Sequence, residues 1–513
     1  MATGPNKYRD KRKQKGIEIP TASQQAHLFI VRMDLISSFG KDIHSLRRSV
    51  SEGLRHLCNL FERLETGQKK IDKFDENRNI FQVQLKDFNF SATVGFGVGF
   101  FDKLRIPDKY RPSKIKAMPN HLGLGDVVRY SLPQTDLIIQ LGSTSDFVNR
   151  WVFENDYLQH SQYLNKKAEK GTKQHDAQDI VSAICEWATV TDTHAGFQRM
   201  DGRNLLGFND GVSNPRPRSG HKFDRVVWTA DEDEGPVLRD GTYMVFQKIT
   251  HDLDQWRELS VPEQEQWVGR NKITGLLLGS PENDDEKFIE ALSHDEPKAK
   301  EKLRRLLDEQ SDPEKPFYDD ETFKKKVPAW SHVRKANPRQ EKMPEQKRID
   351  RRIIFRRGYL FSETALNNKS TSGILFICFQ RDIDNGFEFI KKNWLNNKNF
   401  PTPIQRPFTA YELNKRHSQG RFSPRELERI GRFDFSKRAM LGLDDRDTLK
   451  NKIKETMDKD TQNSGREGLG GPSELGVTPT GDFMAIIPFG GGYYFIPPIP
   501  DESITNIGQQ FFQ

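Results

Sequence analysis

Apolar positions along this chain follow two different periods, and the two kinds of segment interleave. Short runs rich in Val, Ile, Phe and Tyr predict strands over 80–98, 136–143, 241–249, 372–380 and 485–497. Apolar residues spaced three and four apart predict helices over 41–64, 177–189, around 256–270 and over 387–397. Strands fall in both halves with helices between them and no Rossmann signal, which makes the fold class α+β. The run GFGVGF at 95–100 has the glycines of a nucleotide loop. It is followed by FDKL with no helix-packing glycine at the required spacing, so it is not read as one.

At 513 residues the chain is too long for one core and points to two or more domains. Two stretches break the periodicity: the charged segment 281–326, and a polar one from about 400 to 475. Both read as surface insertions, partly helical and partly irregular, of the kind loops tolerate. A 34% hydrophobic and 30% charged composition suits a soluble protein, and no apolar run approaches the roughly 18 residues of a membrane span. The basic opening 1–22 has no apolar core or cleavage site of a secretory signal, so it is expected to be a flexible tail on a cytoplasmic protein. The net charge of +7 comes from 80 basic and 73 acidic residues, interspersed throughout. That argues against a specific nucleic-acid partner, which would show a basic face or a known module. Cys58, Cys185 and Cys378 are far apart and form no CxxC, excluding a zinc ribbon, an iron–sulfur cluster and a disulfide scaffold; buried reduced thiols are expected.

Three further motifs carry chemistry. Gly-Phe-Asn-Asp-Gly at 207–211 sets Asp210 between glycines, SHVRKANPR at 331–339 holds His332, and RRIIFRRGYLF at 351–361 holds Arg356 and Arg357. By itself Asp210 reads as a turn residue bonding nearby backbone N–H groups. His332 is one of twelve histidines, most of which in any protein bind nothing. Arg356 and Arg357, adjacent on a strand, point to opposite faces, so only one can enter a pocket. Along 372–380, Ile374 and Phe376 share one face and Leu375 and Ile377 the other. Either pair could be plain core, and the period does not choose between them.

Taken in order, GFNDG, HVRKANPR, IIFRRG, SGILFICFQRDI at 372–383, GDFMAIIPFGGGYYFIPP at 481–498 and the earlier VGFGVGFFDKL at 94–104 give the chain its resemblance to the dye-decolourising peroxidases, from about residue 23 to 513. The resemblance implies two ferredoxin-like halves, 23–235 carrying GFNDG and 236–513 holding one haem b, with the insertions marking a longer member. It implies His332 as the iron ligand, with His194 and His221 as the nearest rivals, and Asp210 as the acid–base group that moves a proton between the two oxygens of hydrogen peroxide. A carboxylate with an ordinary pKa of about 3.9 remains a base in mild acid, where an imidazole near 6.5 is already charged. Peroxide activation at low pH follows as an expectation. Arg356 is favoured as the guanidinium that stabilises developing negative charge, leaving Arg357 as a surface charge. Arg339 matches an arginine that contacts a haem propionate, against the competing reading of a generic surface arginine. Ile374 and Phe376 are taken as the pocket wall.

The function implied is reduction of hydrogen peroxide coupled to one-electron oxidation of phenols or dyes. The alternative is a haem carrier or sensor of the same fold, which needs the ligand and not Asp210. A nucleic-acid-binding protein built on ferredoxin-like halves is the third reading. Seven Trp and eleven Tyr offer material for a surface electron relay, but none is assigned to one.

Overall fold

Eleven strands run through the described residues: β1 (His27–Leu35), β2 (Lys70–Phe74), β3 (Ile80–Gln84), β4 (Ser91–Gly97), β5 (Leu137–Ser143), β6 (Ala188–Phe197), β7 (Thr242–His251), β8 (Phe355–Arg356), β9 (Tyr359–Thr364), β10 (Ser370–Gln380) and β11 (Ile486–Ile496). The structure is a computed structural model, which describes residues 12–18, 25–36, 42–68, 70–74, 80–119, 132–149 except 147, 187–217, 221–312 except 252, 315, 320–329, 331–339, 352–364, 370–395, 486–500 and 503–513. β2 and β3 form a separate hairpin. The other strands make one sheet in the order β7-β11-β4-β5-β1-β6-β9-β10-β8, and a further β7–β10 pairing closes it into a barrel.

Its seams are unequal. β10 pairs with β7 from Ser372↔His251 to Gln380↔Tyr243, whereas β4 meets β11 only at Tyr494↔Gly97 and Phe495↔Phe96, and β6 meets β9 only at Phe197↔Leu360. Beside β4 a side chain takes over as the pairing partner. Gln14 donates from Nε2 to the carbonyls of Val94 and Pro497 (3.2 and 3.0 Å) and accepts the Val94 N–H at Oε1 (2.9 Å). Residues 12–18 therefore correct the expectation of a flexible tail over 1–22. Ile17 is fully buried in the barrel and Gln14 is bonded to its wall, because the unpaired backbone of β4 needs a partner. The remaining residues of that segment lie outside the described ones.

Strand alternation builds two cores. On β1, Leu28 and Ile30 point into the barrel with Met244, Phe246, Leu375, Ile377, Phe379 and Tyr494. Phe29, Val31 and Met33 point outward against the helix Ile43–Thr66. That helix presents Val50, Leu54, Leu57, Phe61 and Leu64 at helical spacing, is capped by Asp42 and ends at Gly67 in the left-handed conformation. Each such large side chain stabilises the packing by about 1.5–3 kcal/mol.

Several predicted elements change at their edges. The strand expected over 80–98 is broken by the 3-10 turn Leu85–Phe88 and by Asn89 at φ 53°, so its two ends enter different sheets. The helix expected over 177–189 ends in strand, since β6 begins at Ala188; 177–186 lie outside the described residues. Around 256–270 there are two helices, Leu253–Glu258 and Val261–Val268, the second started by a Ser260–Glu263 capping box. The helix expected over 387–397 is π-helical through Asp384–Glu388 and Ile390–Leu395. Segment 281–326 is helical at Glu286–Ser293, Pro297–Gln310 and Glu321–Lys326, while 400–475 lies outside the described residues. Cys58 and Cys378 are buried free thiols, as expected; Cys185 is not among the described residues. Among those residues no helix is long and apolar enough to cross a membrane.

Candidate active site

On the outer face of the barrel, β10 carries Ile374 and Phe376 half-buried, while Leu375 and Ile377 on its inner face are wholly buried. The alternation that left two pairs open is thus resolved by what lies on each side. Cys378 continues the outer face and is the register partner of Arg356 on β8, so the Arg356 side chain shares that face. Burial pushes the Cys378 thiol up while the nearby Arg356 charge opposes the shift. Phe376 packs against Phe387 of the π-helical segment, with ring centres 5.8 Å apart.

Arg357 lies on the other side, and here the expectation fails. It is 3% exposed, not a surface charge. Its Nη2 donates to Gln25 Oε1 (2.7 Å) and to the Tyr359 hydroxyl (3.1 Å). On the inner face of a closed barrel no surface remains for a charge to reach, a consequence of closure that strand periodicity does not contain.

His332 opens the helix His332–Ala336. The residue is half-buried. Burial, with the Arg356 and Lys391 charges, pushes its pKa down to about 4 against an opposing pull from Asp210. The imidazole is therefore neutral near pH 7, with its lone pair available to a metal. No described residue hydrogen-bonds the ring, so the acceptor expected behind a metal-bound imidazole is not supplied by them. Among the described residues no three His, Cys, Asp or Glu side chains converge as a metal cage. This donor set fits a metal that arrives with ligands of its own, as a haem iron does.

Asp210 is exposed, and its Oδ1 accepts the Gly211 N–H at 2.7 Å, so the turn reading is realised and a second carboxylate oxygen is left over. Gly207 and Gly211 have φ 88° and 72°, conformations that side-chain-bearing residues rarely adopt. Arg203 holds the loop by donating to the carbonyls of Gly207, Lys272 and Ile273 (2.7, 2.5 and 2.9 Å).

Two residues of the same motif escaped the sequence reading. Asn214 grips the Arg356 backbone, with Oδ1 accepting its N–H (2.8 Å) and Nδ2 donating to its carbonyl (2.7 Å), which ties the acid loop to the arginine strand. Ser213 accepts from Arg339 (2.9 Å) and Arg270 (3.3 Å). Only an Asn and a Ser just after GFNDG hinted at either.

Arg339 is 1% exposed, which removes the generic-surface reading. Besides Ser213, its guanidinium donates to the carbonyls of Asp312 (2.5 Å) and Gln310 (2.6 Å), and its backbone sits at φ 47°. Of the rival histidines, His194 is inside the barrel with Nε2 2.9 Å from Asp192 and its ring stacked on Phe246. The His221 side chain is outside the described residues.

Known proteins resemble this chain over most of its length. Residues 19–155 match the model for the Dyp-type peroxidase N-terminal region and 201–406 the one for its C-terminal region. The Deferrochelatase of Shigella flexneri serotype 5b is 27% identical over 389 residues, covering 74% of this chain and 77% of that protein. The Deferrochelatase of Escherichia coli K12 is 26% identical over the same length and shares. DtpA from Streptomyces lividans, solved as an X-ray generated oxyferrous complex, shares the fold at a TM-score of 0.50 and 23% identity, over 74% of this chain and 86% of that one.

Proposed function

The chain belongs to the Dyp-type peroxidases and is a haem enzyme that reduces peroxide, and from that premise we propose how its residues divide the work. His332 holds the haem iron, Asp210 is the acid–base group, Arg356 stabilises charge, and Ile374 and Phe376 wall the pocket. The charges of Arg356 and Asp210 that act on the neutral His332 ring, together with Asn214 tying the Asp210 loop to the Arg356 strand, carry this reading. Bound haem supplies an iron that accepts two electrons' worth of oxidation from hydrogen peroxide and is returned by one-electron donors.

Everything else falls to the chain. The free oxygen of Asp210 takes a proton from one peroxide oxygen and delivers it to the other, so that water leaves. Arg356, charged at any working pH, faces the oxygen on which negative charge grows. Its aim is set by Asn214, which fixes its backbone from two sides. The apolar Ile374 and Phe376 exclude water and strengthen both interactions. Arg339, already committed to Ser213 and two carbonyls, lies at the edge of the site and is carried as the propionate contact. Phenols and dye-like molecules are the proposed donors, and nothing favours the carrier or sensor alternative.

We also read the barrel as two ferredoxin-like halves, 23–235 and 236–513. The support is strand order: β4-β5-β1-β6 and β9-β10-β7-β11 both run second-third-first-fourth.

A Soret titration of purified protein, followed by stopped-flow mixing with hydrogen peroxide and a phenol, tests the reading. One haem per chain and donor oxidation that saturates with peroxide are expected. Haem uptake with no peroxide-dependent change in the spectrum would overturn it.

A further inference from the structure

The charged segment 281–326, which the sequence presents as a surface insertion, touches both sides of the site. At one end Gln310, the last residue of the helix Pro297–Gln310, is 5% exposed and has its side chain fully engaged. Its Oε1 accepts the Leu277 N–H (2.8 Å) and an Arg270 N–H (3.4 Å), and its Nε2 donates to Ser280 (2.9 Å). Arg270 goes on to Ser213 and to the carbonyl of Gly275 (2.9 Å). Gly275, at φ 76°, passes so close to Asn209 that an added Cβ would lie 2.4 Å from its Nδ2. Arg339 joins the Gln310 carbonyl to the same Ser213. The loop bearing Asp210 thus leans on 270–277, which leans on Gln310. At the other end Arg334, two residues after His332, donates to the carbonyls of Lys324 and Val327 (2.9 and 2.6 Å). Val327 and Leu277 pack together against Val333.

We infer that this segment is the bracket that sets Asp210 relative to His332, and that Gln310 is a positioning residue for Asp210, acting through Arg270 and Ser213. The inference rests on the proposed roles of Asp210 and His332, but the contacts that carry it do not involve haem. The chemistry suits the task. A primary amide offers an acceptor and a donor at once, and a helix end enclosed by a loop and two guanidiniums needs both. Losing it leaves the Leu277 N–H unpaired in a buried place and takes one acceptor from Arg270, and the neighbouring loop is what can move in response.

The test compares Gln310→Leu, which keeps the size, with Gln310→Glu, which keeps the acceptor for Leu277 and Arg270 while Ser280 can donate in return. Arg304→Ala, exposed on the same helix, is the control. The first readout is hydrogen exchange in the apoprotein, which is independent of haem. Peptides covering 207–214 should exchange at least ten times faster in Gln310→Leu and return towards the parent rate in Gln310→Glu. Exchange that rises only within 297–312, or equally in the control, would overturn the inference. The second readout is peroxide reaction of the haem-loaded variants. Gln310→Leu should lower the rate about tenfold, with haem stoichiometry unchanged and KM for the phenol unmoved. Faster exchange at 207–214 with an unaltered rate would also overturn it. A parent protein that binds haem without reacting would instead defeat the peroxidase reading and leave the exchange result standing.

Discussion

Two trios of the same three residue types occupy this molecule. Inside the barrel Arg32 donates from Nε and Nη2 to the two oxygens of Asp192 (2.8 and 2.9 Å), and His194 Nε2 lies 2.9 Å from the same carboxylate. Burial raises the Asp192 pKa, but contacts with His194 and Arg32 outweigh it and hold the carboxyl below its usual range. Outside the barrel the charges of Arg356 and Asp210 act on His332, with no hydrogen bond among the three. The Asp210 carboxylate bonds only its own turn, and the Arg356 side chain shares a half-buried face with Ile374 and Phe376. In the inner trio the Asp192 carboxylate is taken up by Arg32 and His194 and its charge is spent on structure, while Arg32 Nη1 and His194 Nδ1 are buried without a hydrogen-bond partner among the described residues. The outer trio keeps its capacity, with a free carboxylate oxygen, an unbonded neutral imidazole and a guanidinium held by its backbone. On the proposed reading, the same three residue types are structural where they touch and functional where the loops that carry them keep them apart.

The comparison breaks most sharply at the histidines. His332→Ala should abolish stable haem binding, whereas His194→Ala should retain full haem content and lose thermal stability instead. Soret intensity and melting temperature of both variants decide this, and full Soret intensity in His332→Ala would reverse the two roles.

At the carboxylates the contrast is kinetic. Asp210→Asn keeps the turn but removes a proton acceptor, so peroxide activation should fall by about 10²–10⁴-fold with haem content unchanged. Stopped-flow and Soret spectra report both, and an Asn variant as fast as the parent would leave Asp210 a turn residue only.

The two adjacent arginines sharpen the same point. Arg356→Leu should slow peroxide activation about 10²-fold while haem is retained. Arg357→Leu should leave that rate within a few-fold but lower stability by about 1–3 kcal/mol, since Gln25 Oε1 and the Tyr359 hydroxyl lose a buried partner. Exchange of these two phenotypes in paired kinetic and denaturation measurements would place the pocket on the wrong face of the strand.

The smallest effect concerns acid stability. His332 and His251 both have pKa values lowered to about 4, in each case chiefly by burial. Between the unfolded value of about 6.5 and that folded value the unfolded chain binds more protons. The apoprotein should be fully stabilised above pH 6.5 and lose stability progressively as pH falls towards 4. Melting curves from pH 7 to 4 should show this slope, reduced in His332→Ala; a slope of the opposite sign would contradict the burial of both rings.

By itself the sequence determined the α+β alternation, the motifs that hold Asp210, His332 and Arg356, and the opposite facing of Arg356 and Arg357, because periodicity and Gly-flanked turns are local properties of a chain. It could offer two faces of 372–380 and not choose between them, since the choice depends on what packs across each face. Tertiary structure alone decided that Arg357 is buried, that residues 12–18 line a barrel, and that Arg339 clasps the carbonyls of Gln310 and Asp312. It also made Asn214 the tie between acid loop and arginine strand. Each of these rests on partners about 30 to 480 residues away in the chain, brought together only when the sheet closes on itself, and no local pattern encodes which distant backbone will be left needing a partner.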